Sequence, residues 1–443
     1  MIRSEIETIR YPNGEIQRVQ IVRFDDFASL RFLRPAASAH VLQEYARIYR
    51  RFLIPACPWI FGQLVLFRLP QDASERASLP GADSPDPLLH AAALLQKGLR
   101  FQSGKAVFFD PQARELYAEL ERRGCLELAS GKLPFLRVVP IGDEPGLLSE
   151  SEPAAALKVN ASFFLLDPFD CATRYDIAGT PFALAVKDGE ILSPPLYERE
   201  ALMVYRDGSV RVERPSLTGL SVKIGGRVLR AGKNAVLYSR PLRRRTPRQS
   251  GWDHVVIGRR LVDILEGGGA EIPASGFVLH MTEPCGERGC ELRYHGMEEL
   301  SFAIQAGNSL VKEGICTERF LSAFYNIRQP WRIPYPPSLY PLDYQKARAA
   351  RIALGADAQG KPMLLWAEGA AKIGYRKGDD SCGASLSEFA HICRDAGMIN
   401  GVNLDGGGSA QILLHGARQL RISDRQDNGA EQERSVPLGL MIS

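Results

Sequence analysis

The chain has 443 residues, 45% hydrophobic and 24% charged, with a formal net charge of +4. At about 100–200 residues per domain this allows two or three domains, and the balance excludes disorder, collagen-like repeats and coiled coil as descriptions of the whole. No window reaches the roughly 18 uninterrupted apolar residues of a membrane-spanning helix, and +4 is too weak to argue for a nucleic-acid partner. The opening MIRSEIETIRYPNG has no apolar h-region, and eight irregularly spaced cysteines suit a reducing compartment. The expected location is cytoplasmic.

In chain order, residues 16–33 alternate apolar and polar positions and predict one or two strands. Val41, Leu42, Tyr45, Ile48, Tyr49 and Phe52 then fall on one helical face after Ser38, which predicts a helix over 38–53. Residues 70–87 are rich in Pro, Asp, Ser, Gly and Ala and predict an exposed loop. Asp110-Pro111 opens a helix with Leu116, Tyr117 and Leu120 inside and Gly124 just past its end. Residues 1–140 thus predict an accessory αβ lobe with no evident chemistry.

From about Leu157 the chain becomes strand-rich, with Asp188-Gly189 and Asp207-Gly208 as hairpin turns. The dense run Arg240, Arg243, Arg244, Arg245 and Arg248 is broken by prolines and reads as a solvated loop. His280-x4-Cys285-x4-Cys290-x4-His295 offers four soft ligands that could close a zinc site. Pro284, Gly286 and Gly289 instead favour a loop with free thiols, so no metal is assigned. Ser385 and Glu388 form a capping box ahead of Phe389, Ile392 and Cys393, with Gly397 ending that helix. The expected fold class is α+β: mixed, largely antiparallel sheets with a few packed helices, plus the N-terminal αβ lobe.

The densest signal is Val402-Asn403-Leu404-Asp405-Gly406-Gly407-Gly408-Ser409-Ala410. An apolar strand delivers a carboxylate to three glycines, which tolerate positive φ and let a ligand approach the backbone. Successive N–H groups there could form an anion-binding nest with the Ser409 hydroxyl at its rim. A tight turn between two core strands, merely capped by Asp405, is an equal alternative. The run is neither a P-loop nor a dinucleotide fingerprint, because no Gly-Lys-Ser/Thr follows and no GxGxxG spacing occurs.

Asn-Leu-Asp-Gly-Gly-Gly-Ser resembles the signature of the phosphodiester glycosidase family. Val159-Asn160-Ala161-Ser162-Phe163-Phe164 is similar to its Asn-Gly-Gly-Phe-Phe box, with Ala161 and Ser162 in place of glycines. Ile272–Leu279, Ala306–Val311, Arg351-Ile352-Ala353-Leu354-Gly355 and the late Arg434 keep the family order, so the resemblance covers residues 150–443. It implies a hydrolase that cleaves the glycosidic C–O bond of a glycosyl phosphodiester, giving free sugar and a phosphomonoester. N-acetylglucosamine is the sugar it suggests, and a small-molecule or oligosaccharide phosphodiester is the expected partner. A phosphodiesterase breaking P–O and a catalytically silent carbohydrate- or phosphate-binding protein are the competing expectations.

Under that resemblance Arg351 would clamp the phosphate, since a guanidinium fork matches its geometry. Asp405 would act at the anomeric centre, and Glu368 is the candidate second carboxyl. Asn160, Phe163, Asn403, Gly406, Gly407, Gly408 and Ser409 would bind substrate. No cofactor is firmly implied; Asp405 with Asn403 could hold Ca²⁺ or Mg²⁺.

Overall fold

The computed structural model describes residues 1–35, 52–55, 63–67, 69–70, 72–83, 87–102, 105–130, 146–165, 173, 175, 180–181, 183–195, 199–215, 217, 219–240, 243–318, 345–371, 374–425 and 428–443. Two compact units emerge: Met1–Ala37 with Ile141–Leu165 and Asp170–Ser443, and Ser38–Pro140 with Leu166–Phe169. This corrects the expected boundary at residue 140. The first strands belong to the larger unit, because Ile16–Phe24 pairs antiparallel with Pro362–Ala367 as well as with Ile2–Arg10.

The fold is α+β, and every pairing between strands among the described residues is antiparallel. In the seven-stranded sheet the order runs Ile2–Arg10, Ile16–Phe24, Pro362–Ala367, Arg351–Ala356, Asn400–Asn403, Ser309–Lys312, Ile315–Cys316. Its two central strands, RIALGA and PMLLWA, are buried at every position. Period-two alternation explains why. Ile352, Leu354, Leu364 and Trp366 enter the main core, while Ala353, Met363, Leu365 and Ala367 face a second core. That second core is closed by the helix Leu386–Asp395, whose Leu386, Phe389, Ala390 and Cys393 are buried. Burying a side chain such as Phe389 contributes about 1.5–3 kcal/mol. The predicted capping box starts this helix: Ser385 Oγ accepts from Glu388 N and Glu388 returns the bond.

A five-stranded sheet packs into the main core, in the order Ala417–Arg418, Ile412–Leu414, Leu157–Asn160, Gly439–Ile442, Arg31–Leu33. Three more sheets complete the unit, and Asp188-Gly189 does turn a hairpin, both residues at positive φ.

In the smaller unit, Asp110 caps the helix Pro111–Arg122, which buries Ala113, Leu116, Tyr117 and Leu120 against Leu95 and Leu99 of a neighbouring helix-to-strand segment. The helix expected over 38–53 lies outside the described residues up to 51, and Phe52–Pro55 is a strand rather than a helix end. Residues 72–78 also depart from the expected loop, since Asp72 caps a short helix, Ala73–Ala77.

Candidate active site

The strand Asn400–Asn403 runs beside Arg351–Ala356, and its continuation crosses from one sheet to the other. Leu404 N–H donates to Ile352 O at 2.8 Å, in the seven-stranded sheet; Asp405 N–H donates to Ala161 O at 3.0 Å, just beyond Leu157–Asn160. Asp405 is thus anchored at the junction with its residue 8% exposed.

Each glycine that follows has its own physical reason. Gly406 lies against Ala350, where a Cβ would come within 2.7 Å of the carbonyl oxygen. Gly407 has φ +60° with open space around it, so backbone conformation alone selects glycine there. Gly408 is selected by contact: a Cβ would meet Asp424 Oδ2 at 2.0 Å and Arg434 Nη2 at 2.2 Å. Asp424 Oδ2 accepts from Arg434 Nε at 3.0 Å and Nη2 at 2.6 Å, so a largely buried ion pair backs the glycine run. The Gly407 N–H is given to Ala350 O and that of Ser409 to Gly406 O. Any anion nest in the run therefore falls to Gly406 and Gly408.

Asn160 has a different role from the expected substrate contact. Its Nδ2 donates to Asp405 O at 2.6 Å and its Oδ1 accepts from Gln411 N at 3.0 Å. At 1% exposure it staples both ends of the glycine loop from beneath. Phe163, expected against a sugar face, is buried in the main core because the segment after Leu157–Asn160 stays inside it. Asn403 is fully buried on its strand, with its backbone bonded to Asn308 and Gly307.

Arg351 starts its strand opposite Ala367 and is 3% exposed. Its Nε donates to Ala384 O at 3.0 Å and its Nη2 to Ala347 O at 2.9 Å. The fork expected to clamp phosphate is spent on backbone carbonyls.

Glu368, the candidate second carboxyl, is buried and heavily hydrogen-bonded. At 2% exposure its Oε2 accepts from Arg18 Nη1 at 3.0 Å and from Ser381 Oγ, and its Oε1 from Arg421 N at 2.9 Å. Arg421 continues to Asp380, whose other oxygen accepts from Arg376 N at 2.7 Å. Burial pushes the Asp380 carboxyl up, but the Arg421 guanidinium and the Arg376 N–H outweigh it and hold it below the usual range.

Three buried polar atoms around the run meet no protein partner among the described residues: Ser409 Oγ, Gln411 Nε2 and Ser423 Oγ. Ser423 belongs to the same corner, since it abuts Gly369, which in turn touches Ala350. Each buried polar group left without a bond costs about 1–3 kcal/mol, so such a group calls for water or a ligand. The Ser409 hydroxyl was singled out from the sequence; Asp424, Gln411 and Ser423 were not. The nearest signal was the Gly-Gly-Gly run itself, whose third glycine demands a close neighbour.

The four proposed zinc ligands are not brought together. His280 lies on Gly276–Met281 with Nδ1 2.8 Å from Asp253 Oδ1 and Nε2 3.1 Å from Ser250 O, while His295 is exposed on a strand of a different sheet. His254, absent from that motif, accepts the Cys285 N–H, and burial pushes its imidazole below the ordinary value, toward the neutral form. Among the described residues no three His, Cys, Asp or Glu side chains come together to hold a metal ion. Of the basic run Arg240 is buried, while Arg243, Arg244, Arg245 and Arg248 are exposed as expected, with Arg243 stacked on Tyr238 and Arg245 paired with Glu271.

A strand-end aspartate on a three-glycine floor, backed by an ion pair, places this corner within the part of the chain that matches a known family. The sequence model of the phosphodiester glycosidase family matches residues 264–443, so the resemblance holds there, over a shorter span than 150–443. The match includes Asp405, Asp424 and Arg434. Mouse N-acetylglucosamine-1-phosphodiester alpha-N-acetylglucosaminidase is 37% identical over 81 residues, which are 18% of this chain and 14% of the mouse protein. The human protein of the same name is 36% identical over 81 residues, with the same coverage. The chain thus spans about a seventh of the length of these curated relatives. The zebrafish catalytic domain of that name, auto-inhibited by its pro-peptide, aligns with 100% of this chain and 82% of its own at 11% identity and a TM-score of 0.34.

Proposed function

We propose that the protein hydrolyses the glycosidic C–O bond of a glycosyl phosphodiester, releasing free sugar and a phosphomonoester, in the cytoplasm. The observation that carries this is the set of partnerless buried atoms, Ser409 Oγ, Gln411 Nε2 and Ser423 Oγ, gathered around the loop that holds Asp405. A polyhydroxylated ligand supplies donors and acceptors for such atoms, and Asp405 supplies negative charge for an oxocarbenium-like transition state. The Asp424–Arg434 pair buttresses the floor through Gly408 and fixes where the loop sits. A phosphomonoester leaves more readily than a sugar alkoxide, so a second carboxyl acting as a strong acid is not required. Glu368, saturated by Arg18, Arg421 and Ser381, has no part in the step. The related mouse and human proteins are named for N-acetylglucosamine phosphodiesters, which makes that sugar the first to try.

The test is hydrolysis of an α-N-acetylglucosaminyl phosphodiester in ¹⁸O water. Label in the released sugar supports C–O cleavage; label in phosphate would replace the proposal with a phosphodiesterase. Asp405→Asn is expected to lower turnover by about 10³-fold, ~4 kcal/mol of barrier, with unchanged thermal unfolding. Full activity in that variant would remove Asp405 from the mechanism.

A further inference from the structure

Arg351 already gives two of its N–H groups to backbone carbonyls, and a second set of arginines offers a phosphodiester further donors. A cavity of about 410 Å³ has a lining that includes Arg376, Asp380, Arg421, Arg425, Asn428 and Gly374. One short segment serves both the cavity and the glycine run. Arg421 and Arg425 line the cavity, while Ser423 abuts Gly369 and Asp424 abuts Gly408. A volume of this size is within the range of small-molecule sites, about 300–1,000 Å³.

Its charge is one-sided. Three arginines and one aspartate line it, and Asp380 is already engaged, taking the Arg421 guanidinium on one oxygen and the Arg376 backbone N–H on the other. Arg421 is further held by Glu368. The charges of Arg376 and Arg425 have no carboxylate of their own among the described ion pairs. Arg425 is oriented by its Nη1, which donates to the carbonyls of Ile422 and Asp424. Asn428 accepts from Ala430 N through Oδ1, which leaves its amide N–H groups as donors at the rim.

We propose that this cavity seats a phosphoryl group, held by Arg376 and Arg425, with Arg421 as a positioning residue fixed by Asp380 and Glu368. Two arginines lining one small cavity suit a tetrahedral oxyanion, which accepts bidentate bonds from several directions. As the seat of the substrate's own phosphate it rests on the hydrolase reading above; as an anion site it stands without it.

The experiment titrates the full chain at low salt with inorganic phosphate and with dimethyl phosphate by calorimetry, for wild type, Arg376→Ala/Arg425→Ala and Arg243→Ala. The double variant is expected to weaken phosphate binding by about 10- to 100-fold, at roughly tenfold per charge-assisted bond. Arg243→Ala, on the far basic run, should leave binding unchanged, and thermal unfolding of both variants should match wild type. Binding of dimethyl phosphate assigns the site to a diester; binding of inorganic phosphate alone assigns it to a monoester. No binding of either to wild type, or equal binding to the double variant, overturns the proposal. Phosphate binding lost in the double variant, in a protein that hydrolyses no glycosyl phosphodiester, would sink the reaction and keep the site. Hydrolysis with phosphate affinity untouched by both substitutions would do the reverse.

Discussion

Two regions of the larger unit bury a carboxylate, and they are built for opposite ends. Around Asp253 every valence is used. The fully buried carboxylate accepts from Thr246 Oγ1 and Ala270 N and lies 2.8 Å from His280 Nδ1, while His280 Nε2 lies 3.1 Å from Ser250 O. Around Asp405 the polar inventory is left open: three buried atoms lack protein partners among the described residues, and glycines keep side chains away from the backbone. Burial of charge is common to both. Unfinished bonding and clearance distinguish a place that can take a ligand from one that holds sheets together.

The largest effect expected from this contrast is on stability at the closed cluster. Asp253→Ala strands a hydroxyl, an N–H and an imidazole, and should destabilise the fold by about 3–5 kcal/mol in denaturant unfolding, with turnover per folded molecule retained. A loss below about 1 kcal/mol would mean that the cluster is not closed as described.

At the open corner two adjacent glycines separate contact from conformation. Gly408→Ala must push aside the Asp424–Arg434 pair, and should cost about 1–3 kcal/mol together with most of the turnover. Gly407→Ala meets nothing and bears only its positive φ, about 1–2 kcal/mol, with turnover less affected. Thermal unfolding and kinetics of both variants decide this, and equal damage to turnover would show that loop conformation outweighs the ion pair.

The smallest effect is an acid one. Asp380 titrates below its ordinary value when folded, so its contribution is fully present above about pH 3.9 and is lost as pH falls through the lower folded value. Asp380→Asn should flatten that limb of stability below about pH 4, measured by unfolding at a series of pH values. An unchanged acid limb would detach Asp380 from Arg421.

What was legible in the sequence was local. The helix Leu386–Asp395 announces itself through a capping box within four residues, and the glycine run through its own composition. Legibility failed where function depends on partners far along the chain. Glu368 looked like a second catalytic carboxyl because its partner Arg18 lies 350 residues away, and Asn160 looked like a ligand because the loop it staples lies 245 residues on. Alternation marked Ile16–Phe24 as a strand, but periodicity names no partner, so its place in the seven-stranded sheet was missed.

That same strand governs how the molecule comes into being. The hairpin Ile2–Arg10 with Ile16–Phe24 is local and can form as soon as it is made, yet residues 19–23 must later receive 363–367, and residues 31–33 must receive 439–441. At about 5–20 residues per second, a ribosome needs on the order of tens of seconds to supply those partners. Throughout that interval the hairpin carries an open, apolar edge ready to template any other strand. Assembly of the larger unit is therefore a late, non-local closure, and its yield will depend on what shields that edge during synthesis.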